Sequence, residues 1–145
     1  MKRTKLLVTS FLALFLVSVA AFGIGAAVDT PRTLMSPADF SAAKKMIESD
    51  SRVAMGRCRG LQGADKDVCK AEVRAEERVK KADLAARYHG TVMAADEARQ
   101  VRVKASYDVA KARCSSRMGE GRVECLRAAR DDKNKSLGDA KLASR

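Results

Sequence analysis

Arg57-Cys58-Arg59-Gly60-Leu61-Gln62-Gly63-Ala64-Asp65-Lys66-Asp67-Val68-Cys69 occurs in outline twice in this chain. Fifty-six residues later, Arg113-Cys114-Ser115-Ser116-Arg117-Met118-Gly119-Glu120-Gly121-Arg122-Val123-Glu124-Cys125 again sets ten residues between two cysteines. Gly63 and Gly119 hold equivalent places inside the two copies. The match reaches outward: Val53 and Ala54 fall on Val109 and Ala110, Arg74 on Arg130, and Asp83 on Asp139. These four cysteines are all that the 145 residues contain. The rest of the chain reads as helices attached to two stapled turns.

The N-terminus indicates the compartment in which those cysteines would meet. Lys2, Arg3 and Lys5 form a basic region, Leu6 to Phe22 is mostly apolar, and Gly23 to Ala27 is apolar and mostly small. Gly25 and Ala27 suit the small-residue positions before a signal-peptidase cut, so residues 1–27 read as a signal peptide with the mature chain starting at Val28. The alternative is an uncleaved inner-membrane anchor, since Leu6 to Val28 holds enough apolar residues to span a bilayer. Thr9, Ser10 and the glycine-bearing end favour the cleaved signal and a periplasmic protein. No cysteine follows the segment, so lipid attachment there is not expected.

Export makes disulfides the expected state of an even cysteine count. Four cysteines allow three pairings, and the duplication favours Cys58–Cys69 with Cys114–Cys125. Each pair would close a loop of about twelve residues, worth about 3 kcal/mol through the entropy of the unfolded chain. Pairing across the repeats would close a loop of about fifty-seven residues, less favourable by about 1.4 kcal/mol. Zinc is the competing use of four cysteines, but structural zinc sites space paired ligands two to four residues apart, which neither pair here does.

Removing residues 1–27 takes away three basic residues and no acid, and lowers the net charge from +11 to +8. Among the remaining 118 residues, Leu, Ile, Val and Phe number 18, which borders on the composition of disordered chains. Abundant alanine, the absence of proline after Pro37 and a helical pattern point instead to ordered helices around a thin core.

Residues 28–36 read as a flexible leader. Ser36-Pro37-Ala38-Asp39 then opens a helix, with Ser as N-cap, Pro at the first position and an acid in the first turn. Phe40, Ala43, Ile47, Ala54 and Cys58 recur at helical spacing over about 37–59, with a gap near Asp50 and Ser51. A second helix is expected over 65–88, its stripe formed by Val68, Ala71, Ala75, Val79, Ala82 and Ala86. Glu76–Lys80, Glu77–Lys81 and Asp83–Arg87 are candidate ion pairs along it. Tyr88 to Thr91 reads either as a break or as a kink in one long helix. A third helix over 92–116 carries Ala94, Ala98, Val101, Ala105, Val109 and Ala112 on one row, and Val103, Tyr107, Ala110 and Cys114 on a second. A fourth over 122–143 offers Val123, Leu126, Ala129, Leu137 and Ala140, while Asp131 to Lys135 offers nothing to bury.

The fold class expected is therefore all-α: two tandem antiparallel helical hairpins, residues 37–90 and 91–145, each stapled by its disulfide. They would form a coiled-coil-like object or a loose four-helix bundle, extended or folded together. The duplicated Cys-x10-Cys unit, the Gly-rich turn with Ala-Asp-Lys-Asp-Val-Cys-Lys-Ala-Glu at 64–72 and the Lys/Ala/Asp/Glu-rich flanks resemble a group of small exported proteobacterial proteins. Those proteins carry the same hairpin twice behind a signal peptide. The resemblance covers most of residues 40–141, with Ser115 to Met118 and Glu124 departing from the pattern of the first turn. It implies localisation and fold, and no catalytic residues.

No chemistry of catalysis converges in the sequence. His89 is the only histidine and sits at an expected helix end, where the dipole accounts for it. There is no phosphate loop and no Cys-x-x-Cys; neither enzymatic activity nor a cofactor or metal is expected. Charge is the feature with functional content: Lys111 to Arg145 holds ten basic residues and five acids. An exported cationic helical protein meets anionic envelope polymer and lipid surfaces first. The candidate anion-binding residues are Arg127, Arg130, Lys133 and Lys135. Nucleic acid is not an expected partner, since the chain has no Trp, few aromatics and no reading motif. The second function class is an ATP-independent periplasmic chaperone using Met46, Met55, Met93 and Met118 as an adaptable apolar surface. The narrow alanine stripes also admit a homo-oligomer that shares the seam.

Overall fold

The computed structural model describes residues 35–142; the expected signal peptide and residues 28–34 of the leader lie outside the described residues. Four helices account for nearly all of it: α1 (Pro37–Arg57), α2 (Gly63–His89), α3 (Val92–Arg113) and α4 (Gly119–Leu142). Ser36 caps α1 as its sequence requires. Its hydroxyl accepts from the Asp39 N–H at 3.1 Å and donates to the Asp39 carboxylate at 2.7 Å.

The two copies of the quoted stretch fold into the same turn. After α1 and after α3 the chain tightens into a single 3₁₀ turn, Cys58–Gly60 and Cys114–Ser116. Cys58 has φ −70 and ψ −15, and Cys114 has φ −72 and ψ −14. Leu61 and Arg117 then extend, and Gly63 and Gly119 reverse the chain at φ 53 and 54. That left-handed backbone favours glycine. These two glycines therefore open α2 and α4, so both helices begin earlier than the acids at 65 and the sequence at 122 indicate. Disulfides Cys58–Cys69 and Cys114–Cys125 close the turns, each with its Cα atoms 5.7 Å apart. Two disulfides mark a protein of a non-cytoplasmic compartment. Among the described residues no helix is long and apolar enough to cross a membrane.

Tyr88 to Thr91 is a break, not a kink. Gly90 takes φ 63 and donates its N–H to Ala86 O at 3.0 Å. Thr91 then caps α3 by accepting from the Ala94 N–H at 3.1 Å. The chain thus reverses three times, and both stapled turns lie at the same end of the molecule. Glu72, near one disulfide, pairs there with Arg113 beside the other at 2.8 Å.

Extensive packing joins only helices that are neighbours in the chain. The helical period explains why. On α2, Val73, Glu77, Leu84 and Tyr88 lie on one side, and Ala75, Val79, Ala82 and Ala86 lie half a turn away. The first side meets α1: Phe40 stacks on Tyr88 with ring centroids 4.4 Å apart, and Ser51 donates to the Glu77 carboxylate at 2.7 Å. Ser51 thereby fills the gap in the apolar face of α1 with a polar contact. The second side meets α3 across buried Ala75, Ala98 and Ala105. Arg78–Asp108 and Asp83–Arg102, both 2.7 Å, flank this alanine seam. Asp83 therefore reaches across to α3 instead of pairing with Arg87 along its own helix. Glu76–Lys80 and Glu77–Lys81 do form, each at 2.7 Å. The second row of α3 turns to α4, where Lys133 lays its ammonium 4.6 Å from the centre of the Tyr107 ring. That contact gives the polar stretch of α4 something to cover after all. Val123, expected on the apolar face, is instead exposed.

The inner and outer helices differ in one respect that the duplication makes visible. The α2 stripe Val68, Ala71, Ala75, Val79, Ala82 and Ala86 corresponds, 56 residues on, to Glu124, Arg127, Asp131, Lys135, Gly138 and Leu142. All six of these are exposed on α4. Likewise the α3 row Ala94 to Ala112 corresponds on α1 to Ala38, Ala42, Lys45, Ser49, Val53 and Gly56, all exposed. The inner helices are two-faced; on α4 the second face has become largely charged, whereas on α1 it is exposed but still small and apolar apart from Lys45 and Ser49.

Candidate anion-binding groove

Toward the stapled end, α2, α3 and α4 frame an open groove of about 790 Å³. Its floor is small and apolar, with Ala71 from α2, Ala112 from α3 and Leu126 from α4. Its walls carry Arg74, Arg78 and Lys81 of α2, Lys111 of α3 and Arg122 of α4, against two acids, Glu77 and Asp108. Both acids are already engaged. Asp108 is held by Arg78 at 2.7 Å. Glu77 accepts from Lys81 at 2.7 Å and from Ser51, and both bonds hold its carboxyl below the usual range, Lys81 more strongly. Lys81 also reaches Glu48 of α1 at 3.0 Å, so its ammonium is held above its ordinary value, by Glu77 first and Glu48 second.

Arg74, Lys111 and Arg122 remain. Among the described residues none of the three has an acidic partner, and Lys111 has only the Tyr107 ring at 5.8 Å. They come from three different helices and line one concavity. Two guanidinium forks and one ammonium over a floor of small side chains suit a planar or tetrahedral oxyanion, because the forks can bind two oxygens at once. The groove is open, so such binding would be screened by salt.

The four residues singled out from the sequence do not come together. Arg127 and Lys135 sit on the polar outer stripe of α4, where Arg127 lies 3.6 Å from Glu124. Lys133 is turned toward α3 and occupied with Tyr107. Arg130 is exposed one helical turn beyond Leu126, and extends the line of the groove along α4. Arg74, Lys111 and Arg122 were not singled out. The match of Arg74 to Arg130 in the duplication was the one hint of them, and the convergence of three helices is not a property of any single stretch.

The methionines are equally dispersed. Met46 lies on α1, Met93 at the start of α3 and Met118 in the second stapled turn, all exposed, while Met55 is half-buried. Compared with protein-family models, with curated proteins and with solved structures, the chain finds no match.

Proposed function

We propose that this is a non-enzymatic helical protein of the cell envelope, exported to the periplasm behind a cleaved signal peptide, that binds anionic envelope material through the groove between α2, α3 and α4. The observation that carries the proposal is the convergence of Arg74, Lys111 and Arg122, three cations from three helices with no acid to answer them. A solubilising charge distribution needs no convergence; a binding surface does. The ligand chemistry is phosphate or carboxylate, whether on a lipid headgroup or a soluble polymer. The dispersed methionines offer no single surface to an unfolded client, so the groove rather than a chaperone surface carries the reading.

The test is cosedimentation of the oxidised protein with phosphatidylglycerol-containing vesicles and, separately, retention on immobilised polyphosphate. Binding should fall steeply from low to physiological salt. Replacing Arg74, Lys111 and Arg122 by Gln should weaken vesicle binding on the order of 100-fold, at about 1 kcal/mol for each cation near an anionic surface. Replacing Arg127, Lys133 and Lys135 should weaken it far less. Equal losses from the two triple variants would reduce the charge to a diffuse property of the surface and remove the groove from the account.

A further inference from the structure

The duplication leaves one face of α1 without a partner. Ala38, Ala42, Lys45, Ser49, Val53 and Gly56 stand where α3 has the row that packs against the alanine stripe of α2, yet on α1 all six are exposed. Met46 lies beside them. It is 67% exposed and Val53 is 65% exposed, and these are the two exposed large apolar side chains of α1.

We propose that this face joins a second copy of the chain, α1 against α1, antiparallel about a two-fold axis near Ile47. The far edge of the row does not supply the partner. The matching stripe on α4 carries Glu124, Arg127, Asp131 and Lys135, so a head-to-tail contact would bury four charges against small apolar side chains. A contact of α1 with itself closes at two copies. Side-chain size fits that register. With the axis near Ile47, Ala38 falls opposite Gly56, Ala42 opposite Val53 and Met46 opposite Ser49, each to within a residue, so every larger side chain meets a smaller one.

The charges select the same arrangement. Asp39 and Arg57 are eighteen residues apart, about five whole turns, so both stand on one edge of the face. Both are exposed; Asp39 is bonded by Ser36 alone, and Arg57 has no acidic partner among the described residues. Antiparallel pairing sets one edge of a helix against the same edge of its copy. It brings Asp39 of each copy within about 3 Å, along the helix axis, of Arg57 in the other. The two-fold axis makes this pair twice. Lys45, the one charge within the face, lies toward the other edge and comes level, to within a residue, with Glu48 of the second copy. Its aliphatic stem covers the seam while its ammonium reaches the rim.

Sedimentation equilibrium of the oxidised protein tests the assignment. A single helix pair makes a small interface, so a reversible monomer–dimer equilibrium should appear between about 1 and 500 µM. Val53→Glu and Ala42→Glu alter exposed positions, so both variants should keep the helical spectrum of the parent. Each should raise the dissociation constant about 100-fold, because the substitution enters the seam twice and leaves an unpaired charge there. Asp39→Arg and Arg57→Asp should each weaken self-association about tenfold, by turning two attractive pairs at the rim into repulsive ones. Mixing these two variants restores opposite charges at both ends, so native mass spectrometry should show the mixed dimer in excess over either homodimer. The Arg74, Lys111 and Arg122 triple variant should dimerise like the parent, which separates this face from the basic groove. A monomer mass throughout the range, a dimer that survives Val53→Glu, or no preference for the mixed dimer would overturn the assignment.

Discussion

Removing one staple at a time should expose an inequality between two turns of the same geometry. Each disulfide closes a twelve-residue loop, so Cys58→Ala with Cys69→Ala, or Cys114→Ala with Cys125→Ala, should each cost about 3 kcal/mol. Against a total of about 5–15 kcal/mol for a domain, that is a large share. What remains after the cut differs. Without its staple, α1 still has the Phe40–Tyr88 stack, worth about 1 kcal/mol beyond its area. It also keeps Ser51 on Glu77 and Lys81 bridging Glu48 to Glu77. Across the α3–α4 seam the ring contact of Lys133 is accompanied by half-buried Leu126, Ala129 and Leu137. Hydrogen exchange by mass spectrometry reads the two helices separately. Loss of the first staple should speed exchange in α1 on the order of 100-fold while leaving measurable protection, by the usual relation of local opening to free energy. Loss of the second should bring α4 to the exchange of a free helix, with a visible drop in helicity. Equal residual protection of α1 and α4, or the reverse order, would refute the reasoning.

Gly63→Ala and Gly119→Ala should each destabilise by about 1–2 kcal/mol, because a Cβ there meets open space and only the left-handed backbone resists it. Denaturant midpoints showing very unequal costs would mean that the two turns are not mechanically equivalent. Leu84 is 1% exposed and is the largest fully buried side chain among the described residues. Leu84→Ala should cost about 2–3 kcal/mol, at the low end for such changes because the residue borders an open groove; a loss below about 1 kcal/mol would deny it a role in the core. Glu77 and Glu48 have carboxyls held below the ordinary value of 4.5, Lys81 being the first cause for both. Their folded-state values are depressed, so their contribution is present above pH 4.5 and fades as the pH falls through those values. Thermal melts should therefore lose stability below pH 4.5, and Glu77→Gln should flatten that dependence; an unchanged profile in the variant would exclude the network.

The stapled turns were legible because a duplicated spacing with glycine at one fixed place restricts the backbone to few paths. The two rows on the third helix were legible too, and they proved to be the faces toward α2 and α4. Ranges were less legible where local signals compete. Asp65 looks like a helix start, yet Gly63 already begins the helix, because the reversal needs a left-handed residue and the helix follows at once. The partners of long charged side chains were least legible. Asp83 has Arg87 four residues on along its own helix, yet it pairs with Arg102 of α3, and only packing decides between them. The same holds for the basic groove: Arg74, Lys111 and Arg122 are ordinary surface residues until three helices bring them to one hollow.

The unequal faces of inner and outer helices bear on how such a molecule grows. The free side of α4 carries Glu124, Arg127, Asp131 and Lys135, so a further helix added at that edge would bury charge. The two-faced helices α2 and α3 are interior modules, and the stapled turn that follows α3 has the same geometry as the one that precedes α2. Another copy of residues 61–116 spliced in after Ser116 would keep the eleven-residue separation between successive cysteines and present an apolar face on both sides. The architecture is a row closed by charge at its α4 edge and able to lengthen from its middle.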